Sequence, residues 1–207
     1  LKEVKPHYMC VVPRLLEKIY TKIYENVGKQ SLVKRIVFAA ATRIAKIQLG
    51  RTKKGKYPSF VLKKLYNVAD KLVFQKLKAA LGGNIQMIPC GGALLEPSIG
   101  RFFRAIGVNV TLGYGMTETT ATVSCWDDKK FKLKSVGTLV PHIQAKIGEN
   151  NEILLKGGSI SKGYYNNPEE NAKAFTEDGY LRTGDAGYLD KEGNLYITER
   201  IKELMKT

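Results

Sequence analysis

The sequence predicts an α/β fold, in which a parallel βαβ sheet with flanking helices precedes a small antiparallel β-barrel. Apolar residues recur at helical spacing in the first part of the chain, and two short apolar runs then flank an amphipathic helix. From residue 131 onward the pattern alternates, with frequent glycines. The 207 residues are 43% hydrophobic and 26% charged, which excludes disordered and fibrous classes and suffices for one domain or a piece of a larger protein.

Three amphipathic helices are predicted first. Residues 13–27 form the first helix, because a proline opens it and Gly28 ends it. Ser31 is the predicted N-cap of a second helix that ends at Gly50. Ser59 is the predicted N-cap of a third helix, which ends near residue 82. The segment between the last two helices, residues 51–58, is predicted to be a basic loop.

A βαβ unit follows these helices. Ile85–Cys90 and Val108–Leu112 are the predicted strands, and Pro97–Ile106 is the helix that connects them. Such a connection is right-handed, so the strands should be parallel and their following loops should open on one edge of the sheet. That edge is where open α/β sheets bind ligands.

Antiparallel strands are predicted in the last third of the chain. They are Ile143–Ile147, Glu152–Lys156 and a hairpin formed by Gly187–Leu189 and Leu195–Ile197. One helical turn interrupts them, with Asn167 as its N-cap. We interpret this part as a small β-barrel.

The charge of the chain is strongly uneven. Lys and Arg number 34 against 19 Asp and Glu, a net charge of +15, and all of this excess lies in the first 90 residues. Residues 26–69 contain eleven Lys or Arg and no acidic residue. Nucleic acid and an anionic membrane surface are the alternative partners for such a face. Its aromatic residues are spaced for helix packing, which favours peripheral contact with an anionic membrane, with no nucleic acid expected.

Cysteine usage and hydropathy bear on localisation. The three cysteines are far apart, and none belongs to a C-x-x-C pair that could hold zinc or a redox disulfide. The longest unbroken apolar run, residues 36–41, is far shorter than a membrane span. We therefore expect a cytoplasmic protein, peripheral at the membrane if the basic face binds lipid.

Candidate chemistry begins with the sequence GYGMTET at residues 113–119, directly after the second predicted strand. Gly113 and Gly115 allow the backbone to approach a flat ligand, and the ring of Tyr114 can stack on a base. Thr117 offers a hydroxyl to a phosphate oxygen, and Glu118 is a hard oxygen ligand for Mg²⁺.

Three further groups complete a predicted nucleotide site. The loop Gly91-Gly92-Ala93 follows the neighbouring strand and could cover the other side of a base. Asp185, after a tight turn in YLRTGD, is suited to accept hydrogen bonds from both hydroxyls of a ribose. Arg200 is suited to bind a phosphate.

These motifs, in this order and spacing, carry a resemblance. GGALLEP, GYGMTET, the stretch from Glu152 to Tyr165, and YLRTGD followed by TERIKELMKT resemble the adenylate-forming superfamily of acyl-CoA synthetases, luciferases and adenylation domains. The resemblance covers nearly the whole chain from Gly82 onward. The helical insertion at residues 13–80 and the ending of the chain are most similar to the long-chain fatty acyl-CoA synthetases. Glu199 departs from the many members that have Gly before the arginine.

The resemblance implies a role for each matching residue. Gly91, Gly92 and Ala93 would form one wall of the adenine slot and Tyr114, within Gly113–Gly115, the other. Thr117 would contact the α-phosphate, Glu118 the Mg²⁺, Asp185 the ribose hydroxyls, Arg200 the ribose and phosphate, and Lys202 would be a hinge. Residues 1–125 would be a partial α/β subdomain of the large domain, 126–198 a barrel-like subdomain, and 199–207 the hinge to a missing C-terminal domain.

The implied reaction has two steps. A fatty acid and ATP give an acyl adenylate and pyrophosphate, and coenzyme A then takes the acyl group and releases AMP. Activators of aryl, amino or short-chain acids remain the alternative. The family's phosphate loop ending in Pro-Lys-Gly and its C-terminal lysine have no counterpart in this sequence. We therefore expect the chain to be a fragment of a ligase and inactive by itself.

Overall fold

The computed structural model describes residues 1–53, 55, 57–128 and 131–201. They belong to two compact units. Unit 1 contains Leu1–Thr111 and Asp128–Leu133, and unit 2 contains Leu112–Asp127 and the chain from Lys134 onward. The predicted division at residues 125 and 198 concerns subdomains of a larger protein and stays a prediction.

Unit 1 contains the predicted helices. They are α1 (Pro13–Gly28), α2 (Leu32–Lys53), α3 (Phe60–Ala69), α4 (Gln75–Ala80) and α5 (Pro97–Ala105). The predicted third helix consists of α3 and α4 joined by a π-helical turn, Asp70–Phe74, and α2 extends three residues into the predicted basic loop. Two residues of that loop, 54 and 56, lie outside the described residues.

Local sequence fixes where these helices begin. Pro13 occupies the first turn of α1, where its missing N–H costs nothing. The Ser59 hydroxyl accepts a hydrogen bond from the Leu62 amide at 3.3 Å, as predicted for the N-cap of α3. The Glu96 carboxylate caps α5 by accepting the amides of Ser98 and Ile99.

Aromatic rings join the basic helices to α5. The Tyr20 ring on α1 packs edge-on against Phe102 of α5, with centroids 5.1 Å apart, and Tyr24 packs against Phe38 of α2 at 5.4 Å. Phe102 and Phe103 are almost completely buried. The basic helices are therefore a packed part of unit 1, and the lysines and arginines of α1 to α3 whose burial is described are exposed.

The first sheet has four strands in the order β1 (Ile88–Cys90), β2 (Val110–Tyr114), β3 (Ser124–Cys125) and β4 (Thr138–Leu139). The predicted strand–helix–strand order of β1, α5 and β2 is confirmed. The sheet is mixed rather than purely parallel, because β3 pairs antiparallel with both β2 and β4. The connection from β2 to β3 is too short for the crossover that a parallel pair requires.

The second sheet, in unit 2, is antiparallel and has the order β5 (Ile143–Ile147), β6 (Glu152–Gly157), β7 (Leu181–Leu189) and β8 (Leu195–Arg200). The predicted barrel is wrong, because this sheet is open. Four strands are too few to close a barrel around a filled interior. Helix α6 (Pro168–Ala174) precedes β7, and the Asn167 side chain caps it as predicted.

Apolar residues on one face of the second sheet form the core of unit 2. Ile153, Leu155, Leu181 and Leu195 are almost completely buried. Trp126 is 2% exposed, and its indole N–H donates to the Ser135 carbonyl at 2.6 Å. Among the described residues, no helix is long and apolar enough to cross a membrane.

Candidate functional site

A buried carboxylate links three strands of unit 2. Asp185 on β7 pairs across the sheet with Arg200, the last residue of β8, and the Arg200 Nε lies 3.0 Å from Asp185 Oδ1. The hydroxyl of Tyr114, the last residue of β2, donates to Asp185 Oδ2 at 2.7 Å. Three side chains that the sequence placed in a nucleotide site are therefore in direct contact.

Burial divides the roles within this group. Asp185 is 5% exposed, whereas the Arg200 side chain that pairs with it is 63% exposed. Burial, and then the charge of Asp185, raises the pKa of Tyr114. Tyr114 therefore keeps its proton at neutral pH and remains a hydrogen-bond donor. The carboxylate is the fixed centre of the group.

The backbone turn Thr183-Gly184-Asp185 orients the Asp185 carboxylate. Gly184 has φ of +69° within β7, a conformation that favours glycine. The Thr183 hydroxyl donates to the Ile153 carbonyl at 2.7 Å and accepts from the Asp185 amide at 3.1 Å. The Glu152 carboxylate accepts the Gly184 amide at 3.0 Å. These bonds fix the backbone on both sides of the irregular residue.

The GYGMTET sequence forms the end of β2 and a 3₁₀ turn, Thr117–Thr119. Thr119 is fully buried, and its hydroxyl accepts from the Met116 amide and lies 2.9 Å from the Ala121 carbonyl oxygen. The sequence did not single out Thr119, although it closes the turn. Thr117 is exposed and can meet a phosphate.

The two glycines of this motif differ in how closely the chain packs around them. A Cβ at Gly115 would lie 1.5 Å from the Ala121 carbonyl oxygen, and one at Gly113 would lie 3.4 Å from Thr122. The sequence predicted that these glycines let the backbone approach a flat ligand closely. At Gly115 the structure shows a close approach of the returning backbone.

Glu118 is held by a residue that the sequence did not predict. The Tyr164 hydroxyl donates to Glu118 Oε1 at 2.7 Å across 46 residues of sequence. This hydrogen bond is the first cause of the raised pKa of Tyr164. Only its place in the Glu152–Tyr165 stretch connected Tyr164 with the family motifs.

The donor set around Glu118 fits one kind of metal site. The described part of the chain contains no group of three or more His, Cys, Asp or Glu that could hold a metal ion. Mg²⁺ commonly uses one or two protein carboxylates and takes its other ligands from phosphates and water. Glu118 by itself is compatible with that arrangement, and its role as a Mg²⁺ ligand stays a prediction.

Two further components of the predicted site stay predictions. Gly91, Gly92 and Ala93 lie in the loop between β1 and α5 of unit 1, where Gly92 has φ of +84°. Tyr114 belongs to unit 2, so the pairing of this loop with Tyr114 around a base stays a prediction. Lys202, the predicted hinge, lies outside the described residues.

Comparison with protein families gives a match over most of the chain. The model of the family described as AMP-binding enzyme matches residues 1–165. The chain belongs to the AMP-binding enzyme family. This confirms the resemblance to adenylate-forming enzymes.

Members of the AMP-binding family with high similarity include long-chain fatty acid ligases. The chain is 36% identical over 203 residues to the long-chain-fatty-acid–CoA ligase FadD15 of Mycobacterium bovis, covering 98% of this chain and 33% of that protein. It is 33% identical over 221 residues to long chain acyl-CoA synthetase 5 of Arabidopsis thaliana, covering 100% and 32%. The chain thus spans about a third of the length of these relatives.

Solved structures of the AMP-binding family share the fold. O-succinylbenzoate CoA synthetase of Bacillus subtilis, in complex with an acyl-adenylate intermediate, matches with a TM-score of 0.55 and 31% identity, covering 62% of this chain and 30% of that one. An amide bond synthetase variant from Marinactinospora thermotolerans matches with a TM-score of 0.53 and 25% identity, covering 58% and 27%.

Proposed function

We propose that this chain is the adenosine-binding part of an ATP-dependent, AMP-forming acid–CoA ligase that activates long-chain fatty acids. The observation that carries the proposal is the buried Asp185 carboxylate, held by Tyr114 and Arg200. The family match and the two fatty acid ligases among its relatives support the reaction class.

Each side chain of the cluster has a role in holding the nucleotide. The Asp185 carboxylate accepts hydrogen bonds from the ribose hydroxyls, while Arg200 turns toward the ribose and phosphate. The Tyr114 ring covers one face of the adenine. Thr117 donates to the α-phosphate.

The first step transfers AMP to the fatty acid. A carboxylate oxygen attacks the α-phosphorus, the bond to pyrophosphate breaks, and an acyl adenylate forms. A carboxylate is a weak nucleophile, so the rate depends on alignment and on cancelling the phosphate charge. Arg200 and Thr117 contribute to both. Mg²⁺, held by Glu118 and the phosphates, would supply further charge when bound.

The second step makes the thioester. The sulfur of coenzyme A attacks the acyl carbonyl carbon, and AMP leaves with the bonding electron pair. The mixed anhydride must be shielded from water until then. Lys202 is the proposed hinge for the change between the two steps, and the 207-residue chain by itself is expected to be inactive.

The proposed acid substrate is supported by the relatives rather than by side chains of this cluster. Both fatty acid relatives cover nearly the whole of this chain, whereas the two solved structures cover 62% and 58% of it. Acid-dependent AMP release by the full-length protein, measured with long-chain, short-chain, aryl and amino acids, tests the assignment. A preference for any class other than long-chain acids would establish the alternative.

A membrane contact through residues 26–69 is part of the proposal. Ile36 on α2 and Phe60 on α3 are 59% and 81% exposed, next to the lysines and arginines of these helices. Such a surface suits anionic lipid, where fatty acids dissolve. Salt-sensitive binding to anionic liposomes without oligonucleotide binding is the expected result. A cytoplasmic location, peripheral at the membrane, is proposed with it.

Glu118→Gln in the full-length enzyme is expected to lower kcat roughly 50-fold and to raise the Mg²⁺ concentration needed for half-maximal rate, because an amide is a poorer metal ligand than a carboxylate. The KM for ATP at saturating Mg²⁺ should change little. Steady-state kinetics across a Mg²⁺ series measures both, with Glu177→Gln, at an exposed position, as the control. Unchanged Mg²⁺ dependence would remove Glu118 from the metal site.

A further inference from the structure

The segment 159–164 is attached to the 3₁₀ turn that carries Glu118. The Ser161 amide donates to the Glu118 carbonyl at 2.7 Å, and the Thr120 hydroxyl donates to the Ser159 carbonyl at 2.8 Å. With the bond from Tyr164, three hydrogen bonds join two segments that are about 40 residues apart in sequence. Two of them fix backbone, and the third fixes the functional carboxylate.

Tyr164 is itself held from its other side. The Asn171 side chain on α6 accepts the Tyr164 amide at 2.6 Å and donates to the Tyr164 carbonyl at 2.9 Å. Gly163 allows this contact, because its φ is +125° and a Cβ there would lie 2.6 Å from the Asn171 amide oxygen. The backbone that carries the Tyr164 phenol is therefore held in place.

A carboxylate that binds a metal must keep one orientation. A half-buried glutamate such as Glu118 has three side-chain torsions, and fixing them on metal binding costs conformational entropy. A hydrogen bond to one carboxylate oxygen restricts these torsions beforehand, as partners of metal ligands commonly do. Tyr164 makes this bond to Oε1 of Glu118.

We propose that Tyr164 is a positioning residue, whose hydroxyl holds the Glu118 carboxylate in the orientation that binds the divalent cation. This inference rests on the proposed function and adds to it a residue that does not touch substrate. It also gives the Gly163–Tyr164 turn a role in the reaction besides its role in folding.

The test compares two adjacent tyrosines in the full-length enzyme. Tyr164→Phe removes only the hydroxyl, and Tyr165→Phe removes the same group from a residue that is 93% exposed. The probe is Mn²⁺, whose free concentration is measured by electron paramagnetic resonance in the presence of a non-hydrolysable ATP analogue. Tyr164→Phe is expected to weaken Mn²⁺ binding about tenfold, and Tyr165→Phe to leave it unchanged.

A second pair of measurements separates positioning from general damage. AMP binding without metal should be equal in both variants and in the wild type. In a Glu118→Ala background, Tyr164→Phe should weaken Mn²⁺ binding less than twofold further, because the group on which it acts is gone.

Three results would overturn the proposal. They are equal Mn²⁺ affinity in the two tyrosine variants, a parallel loss of metal-free AMP binding in Tyr164→Phe, and a full tenfold effect in the Glu118→Ala background. Failure of the proposed function is distinguishable, because the wild-type enzyme would then bind neither AMP nor the ATP analogue.

Discussion

Asp185→Ala is expected to raise the KM for ATP of the full-length enzyme about 100-fold while changing kcat much less. Two hydrogen bonds from ribose hydroxyls to a carboxylate are lost, each worth about 1.5 kcal/mol. The ribose is held equally in the ground and transition states, so the loss appears in binding. Steady-state kinetics with varied ATP gives both constants.

The effect also includes the groups that Asp185 holds. Without the carboxylate, the Tyr114 hydroxyl loses its acceptor and Arg200 loses its ion pair. Asp178→Ala is the matched control, because this aspartate also pairs with a cation, Lys146, but lies exposed before β7. Equal KM values for ATP in the two variants would contradict the ribose assignment.

Gly115→Ala is expected to lower the free energy of unfolding by about 3 kcal/mol or more. The added Cβ would lie 1.5 Å from the Ala121 carbonyl oxygen and 3.0 Å from Thr122 Cα, and backbone atoms cannot move aside as a flexible side chain can. The turn that carries Glu118 must therefore shift. Thermal unfolding of the full-length enzyme measures the loss.

Gly158→Ala is the control for this substitution. It lies in the same unit, in another glycine-rich segment, and nothing lies within 4 Å of its added Cβ. We expect its melting temperature to remain close to that of the wild type. If Gly115→Ala melted at the same temperature as Gly158→Ala, the close contact between Gly115 and the Ala121 backbone would be contradicted.

The elements that the sequence predicted well depend on local chemistry. Pro13, Ser59 and Asn167 begin their helices as expected, because a fixed φ or a side-chain acceptor acts on backbone groups within three residues. Helical periodicity identified α1 to α5 for the same reason. The π-turn at Asp70–Phe74 was not predicted.

Strand β7 illustrates where the local signal fails. Only Gly187–Leu189 was predicted, but the strand begins at Leu181. Gly184 with positive φ and the register shift at Ala186/Gly187 break the alternation that identifies a strand. The same irregularity orients the Asp185 side chain. The feature that obscured the strand in the sequence therefore also positions this residue of the candidate site.

The sequence by itself determined the family and the order of the main helices and strands, without β3 and β4, and it predicted the residues of a nucleotide site. Only the tertiary structure decided which of these residues meet: Tyr114 reaches Asp185 across 71 positions, and Tyr164 reaches Glu118 across 46. It also decided that four antiparallel strands remain an open sheet. Periodicity and capping reflect interactions between near neighbours, whereas a directional hydrogen bond between distant residues depends on the path of the whole intervening chain.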